Sequence, residues 1–212
     1  MNWFTRVITA SVGKKLLMAL TGIFFIKFLL IHLIGNLTIY GGAEYFNSYV
    51  EHLHALGPII TALELLMLFL AIIHISTGLL LFFQNIVARP FNYAVNKNGG
   101  GRTIGSSTMP YTGIFILIFL IFHLISFHFI DKTGTTVFDI VSNAFSNPIY
   151  VIFYVIAVAA ASFHVSHGFW SAFQTLGLNN IKYMPVIKKI GVAASVCFGI
   201  GFGFLPIYMF IM

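Results

Sequence analysis

Five stretches of this chain are apolar over about twenty residues or more, at roughly 16–40, 58–84, 110–130, 148–174 and 185–211. A helix rises about 1.5 Å per residue, so each stretch can cross about 30 Å of hydrocarbon. Inside lipid a backbone polar group finds no water to bond, and helices satisfy those groups within one segment. The expected fold is therefore all-α: one membrane domain over residues 1–212, built as a transmembrane bundle of five helices. Pro58, Pro110, Pro148 and Pro185 each stand near the start of a run, where a missing N–H does least harm. Pro206 falls inside the fifth run and is expected to kink or end it.

Composition excludes several functional classes. Of 212 residues, 59% are hydrophobic and only 8% charged, which no ordinary soluble domain matches. The 24 Phe against two Trp suit lipid-facing and core-filling positions. A single cysteine, Cys197, rules out a disulfide pair, a thiolate zinc site or the ligand set of an iron–sulfur cluster. The net charge of +6 is too sparsely spread for a nucleic-acid surface. "VNKNGGGRTIGSS" follows no strand, so it reads as a flexible loop rather than a phosphate cradle. "GIGFGF" in the fifth run reads as close helix packing.

The charges set an expected orientation. Arg6, Lys14, Lys15, Arg89, Lys97, Arg102, Lys182, Lys188 and Lys189 fall on one side, nine of the eleven basic residues. The positive-inside rule makes that side cytoplasmic. Glu44, Glu51, Asp131 and Asp139 lie on the other side, with only Lys132 against them. The N-terminus is then inside and the C-terminus outside, in a multi-pass protein of the cytoplasmic (inner) membrane. The first run is too long for a signal peptide and shows no convincing cleavage site.

Four of the five runs carry a histidine at comparable depth: His32, His74, His123 and His164. One intramembrane histidine is most often a hydrogen-bonding core residue. Four on four helices are harder to dismiss, because each polar group in hydrocarbon carries a cost. His32 and His123 sit in the outer halves of helices that run outward. His74 and His164 sit on helices that run inward, each ten residues before Gln84 or Gln174. That leaves them about 15 Å above the inner end. Two histidines thus share an outer level and two an inner one.

The chain also repeats itself. "HISTGLLLFFQ" (74–84) and "HVSHGFWSAFQ" (164–174) share His, Ser, Gly, Phe and Gln in register at a shift of 90 residues, and His32 and His123 are 91 apart. Gly78 and Gly168 follow their histidines by four residues, on the same helix face. Gly35 follows His32 by three. Small residues at helix contacts are the plainer explanation, but the spacing to histidine favours room for a flat cofactor. Two histidines at one level on facing helices suit a planar macrocycle with two axial ligands, a bis-histidine haem. Two levels imply two haems. Zinc prefers four ligands around one centre, which pairs at different depths do not supply. Without C-x-x-C-H, attachment is non-covalent, as for haem b. Another dihaem transmembrane cytochrome b, or a haem-free transporter whose histidines move protons or bind metal, stays open at this point.

"SVGKKLLMALTGIFF", "IHLIGNL", "AEYFNS", "IIHISTG" and "FHVSHGFWSAFQTLG" carry a resemblance that covers nearly the whole chain. The sequence resembles the dihaem cytochrome b membrane anchor of succinate dehydrogenases and fumarate reductases, of the single-subunit, five-helix type. The resemblance implies that His32 and His123 ligate an outer, low-potential haem b, and His74 and His164 an inner, high-potential one. It implies a flavoprotein subunit and an iron–sulfur subunit docked on the basic cytoplasmic face. A quinone/quinol partner, generally menaquinone, belongs to the same expectation, as does contact with membrane lipid and none with nucleic acid. It allows the whole complex to dimerise. The chain would act as an enzyme subunit with no dicarboxylate site of its own. His167, three residues after His164, is a supporting residue that could bond a propionate or a neighbouring helix. For the quinone and its protons the outer loop "EYFNSYVEHLHALGP" offers Glu44, Glu51, His52 and His54, of which Glu51 and the weaker His54 are the candidates, while Glu64 lies in the outer part of the second run. Lys27 reads as buried in the first run. A solvated loop, and a buried Lys27–Glu64 ion pair, are the plainer alternatives.

Overall fold

A computed structural model describes Asn2, Arg6 and residues 10–88 and 104–212. Arg89, Lys97, Arg102 and residues 95–103 of the Gly-rich segment lie outside the described residues, while its last four, 104–107, are helical rather than loop.

The described chain is helical. Helix α1 is Ser11–Leu37, extended by a 3-10 turn at Thr38–Gly41; α2 is Ala43–His54 and α3 is Pro58–Val87. Helix α4 is Ile104–His123, extended by a π turn at Leu124–His128; α5 is Val137–Phe145, α6 is Pro148–Thr175 and α7 is Met184–Ile211. Five of these, α1, α3, α4, α6 and α7, are long and apolar enough to cross a membrane. They correspond to the five runs. Pro58, Pro148 and Pro185 open their helices, as expected. The Asn147 side chain caps α6 by accepting from the Ile149 N–H at 2.9 Å.

Two prolines lie inside helices rather than at their ends. Pro110 lies inside α4, which already begins by Ile104. "IGSSTM" is polar but compatible with a helix, so polarity marked the limit of the apolar run and not the limit of the helix. Pro206 does not end α7, which continues to Ile211 with the proline fully buried. Packing of the surrounding bundle outweighs the one lost backbone bond, as membrane helices tolerate. The "GIGFGF" glycines do serve close packing. A Cβ on Gly201 would collide with Leu33 of α1, and one on Gly199 with Ser162 of α6.

Helix α6 is central, packing against α7, α4 and α1, while α3 packs against α1 and more lightly against α4. Large side chains such as Leu63, Leu66, Phe69 and Ile72 leave α3 apolar on its exposed surface, as lipid contact requires.

The segment read as an outer loop is instead helical. Gly42, at φ 88°, and Gly57, at φ 53°, supply the left-handed turns that bound α2. Asn47 of α2 accepts from the Phe138 N–H of α5 at 3.1 Å. Together the two short helices cover one end of the bundle over Ile39, Phe46, Val141, Phe145, Tyr154, Leu205 and Met209. Helix α5 starts with a capping box between Thr136 and Asp139, a T-x-x-D pattern legible in the sequence.

Lys27 is exposed, not buried. It precedes His32 by five residues, which turns it about 140° around the helix from the histidine. Glu64 pairs with His128, at 3.9 Å, so the Lys27–Glu64 pair is not formed.

Candidate functional site: two histidine pairs

The four span histidines meet two by two. His32 of α1 faces His123 of α4 with ring centroids 6.0 Å apart and planes at 89°. His74 of α3 faces His164 of α6 at 6.5 Å and 66°. The Thr21 hydroxyl lies 2.8 Å from His74 Nδ1, and the Thr112 hydroxyl 3.2 Å from His164 Nδ1. Thr21 and Thr112 each precede a histidine of the other pair, His32 or His123, by eleven residues on the same helix. The two pairs therefore lie about 16 Å apart along the helix axes.

The spacing of each pair can be tested against a shared metal. A ligating ring nitrogen sits about 2.0–2.1 Å from a metal and roughly 1.1 Å from its own ring centroid. Two imidazoles on opposite sides of one ion then have centroids about 6.2 Å apart. The two observed separations, 6.0 and 6.5 Å, bracket that value. Among the described residues no group of three or more His, Cys, Asp or Glu side chains converges. Each pair thus presents two imidazoles, a donor set that would suit a metal whose remaining ligands come from a cofactor rather than from the protein. Aromatic side chains line the first pair: Phe28 stacks on His32 at 5.2 Å, Phe202 leans against it, and Phe119 and Phe127 flank His123. Phe25 meets His74 edge-on at 5.5 Å. These donors and walls fit haem.

Hydroxyls stand behind three of the four rings. Besides Thr21 and Thr112, Tyr154 OH lies 3.2 Å from His123 Nδ1. Tyr150 OH is 3.3 Å from Tyr154 OH and donates to Ser126 Oγ at 2.6 Å. That chain reaches a groove of about 680 Å³ lined by Ser126, Asp131, Asp139, Asn143 and Tyr150. His32 has Asn36 Nδ2 at 3.4 Å from its ring nitrogens, but the amide bonds the His32 carbonyl more closely, at 2.8 Å.

The other expected site residues are placed as follows. Among the described residues, a Cβ on Gly78 would touch Met18 alone, with Cε at 3.5 Å, and one on Gly168 Met109 alone, with Cε at 3.8 Å. Both glycines thus face a flexible thioether that can yield its space. At Gly35 the space expected for a cofactor is taken by the ring of Tyr49 from α2, which a Cβ would strike. His167 packs against Gly105 of α4 and lies 4.8 Å from the Trp170 ring. Glu64 meets His128, which the sequence reasoning passed over, whereas Glu51 and His54 are exposed on α2.

Thr21, Thr112 and Tyr154 were also missed. For the threonines a signal was present: "MALTGIF" (18–24) and "MPYTGIF" (109–115) share Met, Thr, Gly, Ile and Phe at the same shift of 91 residues that separates His32 from His123. Both methionines of this repeat are those that cover Gly78 and Gly168.

Gly35→Ala is expected to cost about 1–3 kcal/mol through overpacking against Tyr49. Thermal melting in detergent should show the loss, and Tyr49→Ala should restore part of it in the double variant.

The fold defines a multi-pass α-helical membrane protein, and histidines paired across its interior are the ligand arrangement of a b-type cytochrome. The succinate dehydrogenase cytochrome b558 subunit of Bacillus subtilis (strain 168) is 32% identical to this chain over 158 residues, covering 71% of this chain and 72% of the relative. The chain belongs to that family of succinate dehydrogenase cytochrome b subunits. No family model matches the sequence, and no solved structure matches it.

Proposed function

We propose that this chain is the membrane anchor and electron-transfer subunit of a succinate:quinone or quinol:fumarate oxidoreductase, and that it holds two b haems. The pairing of His32 with His123 and of His74 with His164, at the separation one bridged metal requires, carries the proposal. Bound haem supplies reversible one-electron storage within the bilayer. The four histidines hold its iron, and the Phe side chains around them exclude water and keep the local dielectric low.

The basic end of the bundle faces the cytoplasm and docks the flavoprotein and iron–sulfur subunits. Lys14, bonded to Gln84 at 2.6 Å, and Lys188, over the Trp170 ring at 4.8 Å, belong to this end. The His74/His164 pair is nearer to it, so it holds the inner haem. The end covered by α2 and α5 faces outside and receives the quinone, menaquinone being the expected type. Glu64 is the proton carrier favoured there, ahead of Glu51 and His54, because it alone has a titratable partner inside a span, His128.

Two experiments test this. Affinity purification of the chain from its host membrane should bring down a flavoprotein and an iron–sulfur protein with dye-linked succinate oxidation; recovery of the chain without such partners would overturn the assignment. Fusion of alkaline phosphatase after Met212 should give an active reporter outside the cytoplasm. Activity of that enzyme only when fused near Lys182 would reverse the topology.

A further inference from the structure

Thr21 and Thr112 occupy equivalent places in the two halves of the chain, each followed by a glycine. A threonine hydroxyl has one hydrogen to give. Thr21 Oγ1 lies 2.7 Å from the Leu17 carbonyl and 3.3 Å from that of Met18, and a carbonyl can only accept. With its hydrogen engaged there, the hydroxyl can only accept from His74 Nδ1 at 2.8 Å. Nδ1 therefore carries the ring hydrogen, and Nε2 keeps its lone pair. Thr112 repeats the arrangement, at 3.1 Å from the carbonyls of both Thr108 and Met109 and 3.2 Å from His164 Nδ1.

The glycines complete the device. A Cβ on Gly22 would stand 3.6 Å from His74 Cε1, and one on Gly113 would stand 3.4 Å from His164 Cε1. Each ring edge thus lies against bare backbone, within reach of the hydroxyl one residue earlier. Helices α1 and α4 in this way carry one ligand each for the first pair and one orienting hydroxyl each for the second. Among the described residues the first pair has no threonine behind it; Tyr154 stands there instead, at the His123 ring.

Building on the ligand assignment proposed above, we infer that Thr21 and Thr112 are positioning residues for the second haem: they fix both of its ligands in the Nδ1–H tautomer, aim Nε2 at the iron and lower that haem's midpoint potential. An acceptor behind the N–H raises the ligand's basicity and favours the ferric state.

The test uses the full complex in membranes, with Thr21→Val, Thr112→Val, the double variant and the serine variants at both positions. Haem content and the two midpoint potentials are measured by redox-poised optical spectra. Each valine should raise the midpoint of the second haem and leave the first in place. The double variant should weaken retention of the second haem by about 10–100-fold. Serine, which keeps the hydroxyl, should restore the wild-type midpoint. Valine variants with unchanged midpoints and haem content would overturn the inference, as would serine variants that shift as far as valine, or equal shifts of both haems. His74→Ala separates the two levels of the argument: retention of the second haem there would remove the ligand assignment itself, whatever the threonine variants do.

Discussion

Replacing His74 or His164 by alanine is expected to remove one haem of two and to leave the other spectrally intact; replacing His32 or His123 should remove the complementary one. Each pair meets across two different helices, α3 with α6 and α1 with α4. Without one of the two imidazoles, a bound haem would keep a single protein ligand and would face a gap in an apolar wall. Because the two levels are about 16 Å apart, an alanine at one should barely disturb the other. Reduced-minus-oxidised spectra of the four variants check the pairing. The same haem lost from His32→Ala and His164→Ala would show that the ligands are crossed.

Glu64→Gln is expected to lower quinone-linked turnover about 100-fold or more, the usual contribution of a positioned acid–base group. Both haems and dye-linked succinate activity should remain. Glu64 precedes His74 by ten residues on α3, a rise of about 15 Å, which brings it to the level of the His32/His123 pair. It faces His128 across 3.9 Å, and the two side chains are 50% and 44% exposed, so a lipid-borne quinol can reach them. His128 follows His123 through the π turn, a distortion that often marks functional positions. On the proposed reading, a Glu64 carboxylate that takes a proton from quinol would pass it to this imidazole. His128→Gln should therefore slow the same turnover, by less than Glu64→Gln. Wild-type quinone-linked turnover in Glu64→Gln would dismiss the carboxylate and leave Glu51 as the next choice.

The bundle was legible because hydrophobic length decides it: five runs long enough for the bilayer became five helices of the structure. The short helices α2 and α5 were less visible. Glu44, Asn47, Glu51 and His52 make α2 polar enough to read as a loop, and its apolar stripe is short. The Thr136–Asp139 capping box was the available sign for α5. The histidine pairs were legible because the spacing and depth of the four residues survive in sequence as a repeat at 90–91 residues. Their supports were less so. A threonine inside an apolar run looks like a filler until the structure sets its hydroxyl against a ring nitrogen. Lys27 misled because a charge in a membrane run suggests burial, while its angle around α1 points it away from the bundle.

The most direct test of a dihaem anchor is the ratio of haem to polypeptide in the purified chain. A pyridine haemochrome assay with quantitative amino-acid analysis should give two haems b per chain, both six-coordinate and low-spin by electron paramagnetic resonance. A ratio of one, or a five-coordinate high-spin haem in the intact protein, would contradict the paired ligation of His32 with His123 and of His74 with His164.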